Sequence, residues 1–247
     1  MVESHESVST WRPAPVPPPT ASRRAVIDQV ADLVVSVRPG RVRVCIDGFT
    51  AAGKTTFSVE LAEAVRRRGR STLRASLDDF KHPWRHAIDH GYDRISGEGY
   101  YRNAPDFESA RDLLLAPAGV AGSGGVVLCA HDPLTGEDHR GVVAQADADA
   151  VLVVDSVFAM RPEYDEYWDL RIWLDVPPDL SLARGVARDT EMEGSAEAAE
   201  ALHRDRYHAA EQIYVAEVDP VTRADVVIDN SDVLAPIILR GGSVADP

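Results

Sequence analysis

One octet constrains this chain more than any other stretch: Gly48-Phe49-Thr50-Ala51-Ala52-Gly53-Lys54-Thr55, with Thr56 following. An apolar run, Val42–Asp47, leads into it, and a stretch with helical spacing follows to about Arg68 and stops at Gly69. The pattern Gly-x-x-x-x-Gly-Lys-Thr acquires meaning in that setting of strand, glycine loop and helix start. Backbone N–H groups of such a loop converge on an anion, and the helix N-terminus adds partial positive charge. In this arrangement Lys54 reaches the β- and γ-phosphates of a nucleotide, and the Thr55 hydroxyl ligates Mg²⁺. Of 26 basic residues only Lys54 and Lys81 are lysines, so the loop has a compact ammonium in a chain that otherwise uses Arg.

Beyond the loop, short wholly apolar runs alternate with helical stretches. The expected strands are Val42–Asp47, Thr72–Leu77, Val126–Ala130, Ala150–Asp155, Leu170–Val176 and Asp225–Ile228, preceded by a helix over 22–37. Continuous rather than alternating apolar runs indicate strands buried on both faces. The fold class that follows is α/β: a P-loop fold with a parallel sheet sandwiched by helices and a small helical lid. Asp47, Asp78, Asp155, Asp175 and Asp229 fall at or beside strand ends. Ligands in such sheets bind outside the carboxyl ends of the strands, so these acids lie where chemistry is expected.

The 247 residues suit one large domain, taken as 21–240. Residues 1–20, with Pro13, Pro15, Pro17, Pro18 and Pro19, read as a disordered or polyproline tail. Two stretches break the alternation: an insertion over 80–107, rich in Gly, His, Arg and Tyr, and a lid over 184–206. A formal charge of −14 argues against a nucleic-acid partner. No apolar run approaches the roughly 18–20 residues a membrane span needs, and no signal-peptide core is visible, so a cytoplasmic protein with no membrane partner is expected. Cys45 and Cys129 sit in apolar runs and are expected to be buried free thiols.

The residues Ile46 to Thr56 resemble the uridine kinase branch of the P-loop kinases, which includes phosphoribulokinase-like relatives. The resemblance extends through Ser76-Leu77-Asp78-Asp79-Phe80, Gly97-Glu98-Gly99-Tyr100-Tyr101 to Asp106-Phe107, Val153-Val154-Asp155 with Val157-Phe158, Arg184 to Arg188-Asp189, and Ala224 to Asn230. It implies a kinase using ATP and Mg²⁺ on a small-molecule hydroxyl acceptor, foremost the 5′-hydroxyl of a pyrimidine nucleoside. Asp78 would orient or deprotonate the acceptor hydroxyl, with Asp79 able to exchange roles with it. Asp155 would hold Mg²⁺ with Thr55, and Arg184 and Arg188 would close over the triphosphate. Asp106 would bind paired hydroxyls, or else cap a helix. Tyr100 would meet a base or simply pack, and His131 and Arg85 would line the acceptor pocket.

Departures fall at Ser156, Lys81 and His131-Asp132, where the family commonly has Gly, Tyr and Tyr-Asp. They leave open another alcohol, such as a sugar, a sugar phosphate or a specialised metabolite. In the phosphate case Arg85, Arg94 and Arg102 could grip the acceptor, or be solvated loop residues. A non-catalytic nucleotide-binding regulator is the alternative from another class. A guanine-type switch is excluded, because its Asn/Thr-Lys-x-Asp motif needs a lysine the chain lacks. Self-association is left open.

Overall fold

The computed structural model describes residues 3–11, 18–83, 93 and 95–241. A seven-stranded sheet runs in the order β1-β3-β6-β2-β7-β8-β9. Its strands are β1 (Ser4–Glu6), β2 (Val42–Gly48), β3 (Thr72–Ser76), β6 (Val151–Asp155), β7 (Leu170–Asp175), β8 (Val226–Asp229) and β9 (Ile237–Arg240). All neighbours pair in parallel except β8 and β9, which are antiparallel. A separate antiparallel pair joins β4 (Gly125–Val127) to β5 (Val143–Gln145).

Each central strand feeds both faces of the sheet. On one face Val44, Ile46, Val153 and Ile172 pack with Ile27, Val30 and Val34 of α1 (Ala21–Ser36) and with Phe57, Leu61 and Val65 of α2 (Lys54–Arg67). On the other, Cys45, Leu152, Val154 and Trp173 meet Tyr101, Leu114, Phe158 and Tyr214. Alternate residues of one strand thus enter two cores, which is why the runs are continuously apolar. Thr20 caps α1 by accepting from the Arg23 amide at 3.1 Å, and a 2.7 Å Arg23–Glu60 ion pair ties α1 to α2. Cys45 and Cys129 are buried and unpaired, and burial pushes the Cys129 thiol up to about 12.

Two expectations need correction. The tail reading does not hold at Ser4–Glu6, which pair with Thr72–Arg74 and complete the sheet edge. A three-residue edge strand with polar side chains leaves no hydrophobic pattern, because its stability comes from backbone bonds to β3. Residues 12–17 of the same stretch lie outside the described residues. The Val126–Ala130 run is no member of the main sheet. Val126 and Ala130 are fully buried, yet only Gly125–Val127 is a strand and its partner is β5. An apolar run reports burial and says nothing of the partner.

Candidate active site

The loop between β2 and α2 is shaped by residues that only its own backbone permits. Gly48 has φ 151° and a Cβ there would lie 2.6 Å from the Leu174 carbonyl oxygen. Gly53 has φ 94° and a Cβ there would meet the Asn230 amide nitrogen at 2.8 Å. Ala51 takes φ 62°, a conformation that non-glycine residues rarely adopt and that is sustained by the surrounding structure. The supports are specific: Asn230 Nδ2 donates to the Ala52 carbonyl at 2.7 Å, and Ser181 Oγ to the Thr50 carbonyl at 2.5 Å. Lys54 Nζ folds back on the loop and donates to the carbonyls of Gly48 at 2.9 Å and Phe49 at 2.8 Å. Burial lowers the Lys54 ammonium, while Asp47, Glu211, Asp78 and Asp155 pull it back. The loop thus takes a tight turn at the start of α2, with the Lys54 ammonium folded onto its carbonyls.

The acid at the end of β6 meets the first turn of α2. Asp155 accepts from Thr55 Oγ1 and from Ser58 Oγ, each at 2.8 Å. Burial raises this carboxyl, against those two hydroxyls and Arg74. A hydroxyl beside a carboxylate at a phosphate cradle is an all-oxygen donor set, which suits Mg²⁺. Ser58 escaped the sequence reading although it lies three residues after Thr55, on the same helix face.

The 3₁₀ turn Leu77–Phe80 sorts the two candidate bases. Asp78 is exposed and pairs with Lys81 Nζ at 2.5 Å, whereas Asp79 is 3% exposed and accepts from Ser7 Oγ at 2.6 Å. Desolvation in the cleft pulls the Asp78 carboxyl upward, but Lys81, Lys54 and Arg188 outweigh it and hold it below the ordinary range. Burial instead pushes Asp79 up to about 7. Asp78 faces the cradle's charges; Asp79 faces inward.

A cleft beside Asp78 is lined by Lys81, His82, Pro83, His131 and the turn Asp132–Gly136. Asp106 stands at its back, 3.8 Å from His82 Nδ1, and caps the next helical turn by accepting from Ser109 N at 3.0 Å and Ser109 Oγ at 2.6 Å. Tyr100 is 7% exposed. Its hydroxyl binds Lys81 at 2.6 Å, and its ring packs edge-on against Phe158 and Tyr207, with Lys81 and Arg206 each 4.6 Å from the ring centre. The ring is thus packing material, the plainer of the two readings open at sequence level. Arg102 binds Glu98 and Glu217 on the surface. Arg85 and Arg94 lie outside the described residues.

The lid arginines are both engaged. Arg184 donates to the carbonyls of Asn230 at 3.2 Å and Ser231 at 2.6 Å, which places it at the cradle wall. Arg188 forms a two-pronged pair with Asp189, at 2.7 and 2.8 Å. Asp189 in turn meets the buried His203 at 2.8 Å. Despite burial, Arg188 and His203 hold the Asp189 carboxyl well below the usual range. His203 packs so closely on the helix Pro178–Glu193 that a Cβ at Gly185 would sit 2.1 Å from its ring.

Two further residues on the helix Ala209–Val218 reach the loop. Glu211 accepts from the Thr50 amide at 2.5 Å, and Tyr214 donates to Asp47 Oδ2 at 2.6 Å. Asp47 also accepts from the amides of Gly48 and Met160, and burial lifts it to about 6. Nothing in the spacing of Glu211 signals this, since its partner lies 161 residues away.

The fold has clear relatives among solved structures. A possible uridine kinase from Bacillus stearothermophilus aligns over 83% of this chain and 97% of its own, with TM-score 0.63 and 23% identity. A protein put forward as a fructose transport system kinase from Silicibacter sp. TM1040 aligns over 79% and 95%, with TM-score 0.66 and 21% identity. No protein-family model matches the sequence, and no curated protein matches it. The shared architecture is a mostly parallel α/β sheet between helices. Among the described residues no helix is long and apolar enough to cross a membrane.

Proposed function

We propose that this chain is an ATP-dependent kinase of the uridine kinase-like group, moving the γ-phosphoryl of ATP to a hydroxyl of a small polar metabolite. The observation that carries the reading is a convergence. Lys54 of the cradle lies close enough to Asp155, the partner of Thr55, and to the ionised Asp78 at the cleft for their charges to act on one another.

Phosphoryl transfer asks a protein mainly for positioning and charge stabilisation. The loop amides from Gly48 to Thr55 would hold the phosphates, and Lys54 would leave its two loop carbonyls to meet them. Thr55 and Asp155 would hold Mg²⁺, which supplies charge neutralisation on the phosphates when bound. Asp78, kept ionised by Lys81, would orient the acceptor hydroxyl and take its proton late in transfer. Arg188, two-pronged on Asp189 and near enough to Asp78 to act on its charge, would stabilise charge on the phosphates, and Arg184 would brace the wall behind.

The acceptor is read as a polyol-like alcohol. The cleft's described walls offer imidazole, carboxylate, ammonium and the Thr135 hydroxyl beside Pro83, Pro133 and Leu134. With Tyr100 packed away, they hold no aromatic ring for a base to stack on except imidazole, which favours a hydroxyl-rich ligand. The pyrimidine nucleoside expectation keeps its support in the fold shared with a possible uridine kinase. An ADP-release screen with Mg-ATP separates the two, run against nucleosides, sugars and amino alcohols, with Lys54→Ala as control. Turnover with a sugar or amino alcohol supports the reading; turnover with uridine or cytidine alone restores the nucleoside. Silence across the whole panel would leave the non-catalytic regulator.

A further inference from the structure

Residues Glu3–Thr10 run along the outer edge of the sheet and finish at the acceptor cleft. Thr72 N donates to the Glu3 carbonyl at 3.2 Å and Ser7 N to the Arg74 carbonyl at 3.1 Å, so the segment is zipped to β3 at both ends of β1. From there it makes side-chain contacts to two buried carboxylates. Ser7 Oγ donates to Asp79, 3% exposed, and Thr10 donates to Asp132, 1% exposed, through its amide at 2.5 Å and its hydroxyl at 3.0 Å. Ser9 N returns to Ser7 Oγ at 3.1 Å, which fixes the bend between the two anchors.

Asp132 through its carboxylate and Asp79 through its backbone both hold cleft walls. Asp132 Oδ1 also accepts from the amides of Leu134 at 2.9 Å and Thr135 at 2.8 Å, which shapes the rim turn. Asp79 directly follows Asp78, and its own carbonyl accepts from the amides of Ala130 at 3.1 Å and His131 at 3.0 Å. The segment therefore grips the cleft on two sides: the turn that carries Asp78 and the turn that follows His131. The phosphate loop lies beyond β3 and β6 in the sheet order.

We propose that Glu3–Thr10 is a strap that positions the acceptor-binding walls, with Ser7 and Thr10 as positioning residues acting through Asp79 and Asp132. The proposal rests on the kinase reading for its consequence, although the coupling itself is a property of the fold. Buried carboxylates that lose a donor must find water or take up a proton, and either response loosens what they hold. Acceptor affinity should then fall while nucleotide affinity stays, because the two residues changed, Ser7 and Thr10, bind the carboxylates of the acceptor walls. That split distinguishes positioning from general loss of stability.

The test uses the full chain with the pair Ser7→Ala and Thr10→Val together, and separately the conservative Thr10→Ser. Against whichever acceptor the wild type turns over, the double variant should raise acceptor KM by about tenfold, keep ATP KM within about twofold, and leave Thr10→Ser near wild type. Equal loss in both KM values, or none in either, overturns the proposal. A second readout needs no acceptor: hydrogen exchange of the Leu134, Thr135 and His131 amides should quicken by about tenfold or more, with the α2 amides unchanged. If the wild type turns over no acceptor, the kinase reading fails and exchange alone decides. Unchanged exchange at the three amides would then overturn the strap, while quickened exchange keeps it.

Discussion

At the scale of single residues, neighbouring acids in one sequence pattern acquire opposite chemistry from the direction their side chains point. Asp78 is exposed and held ionised by Lys81, whereas Asp79 is buried and lifted to about 7. Only the first presents its carboxylate at the cleft. We expect Asp78→Asn to lower kcat by about 10²–10⁴-fold with ATP KM little changed, as loss of a positioned proton acceptor does. A steady-state comparison in which Asp79→Asn, and not Asp78→Asn, removes turnover would sink this assignment. Asp79 should show itself in stability instead. Its folded value lies above the ordinary 3.8, so between the two values the folded chain holds a proton that the unfolded chain has released. Stability from this group is thus present at low pH and is lost as pH rises from about 4 to about 7. Thermal melts of wild type and Asp79→Asn should diverge in the variant's favour between about pH 4 and about pH 7. A constant difference across that range would contradict it.

At the scale of elements, the phosphate loop is held by helices far from it in sequence. The helix Ala209–Val218 supplies Glu211 to the Thr50 amide and Tyr214 to Asp47, and the helix Pro178–Glu193 supplies Ser181 to the Thr50 carbonyl. Tyr214→Phe leaves the buried Asp47 short of a donor and should destabilise the fold by about 1–3 kcal/mol in a denaturant titration. Glu211 is the more consequential contact, because a carboxylate beside a phosphate cradle opposes the anion it serves. Gln at that position can still accept from Thr50 but carries no charge. Glu211→Gln should therefore tighten binding of a fluorescent ATP analogue, by about tenfold for one charge removed at short range. Weaker binding would mean that the charge shapes the loop and does not oppose its ligand.

At the scale of the whole molecule, the cradle lies where β2, β6, β7 and the start of α2 meet, so a ligand there bridges the centre of the fold. Mg-ATP at about one hundred times its Kd should stabilise the chain by about 2.7 kcal/mol, a rise in Tm of about 5–10 °C for this length. Chelating the metal should remove much of that rise, and Lys54→Ala should abolish it; an undiminished shift in Lys54→Ala would disconnect the loop from nucleotide. What the sequence determined by itself was whatever local chemistry dictates. The glycine spacing defined the loop, continuous apolar runs marked strands buried on both faces, and acids at strand ends marked the working edge of the sheet. Thr55, Asp155, Lys54 and Asp78 were legible for that reason. The tertiary structure alone decided matters that depend on partners distant in the chain. It turned Val126–Val127 into a separate hairpin, set Ser4–Glu6 on the sheet edge and packed Tyr100 away. It also left Asp78 exposed while burying its neighbour, and brought Glu211, Asn230 and Thr10 to an amide, a carbonyl and a carboxylate. A residue's burial and its hydrogen-bond partner are fixed by which surfaces meet, and spacing along one strand or helix carries no record of the surface on the other side.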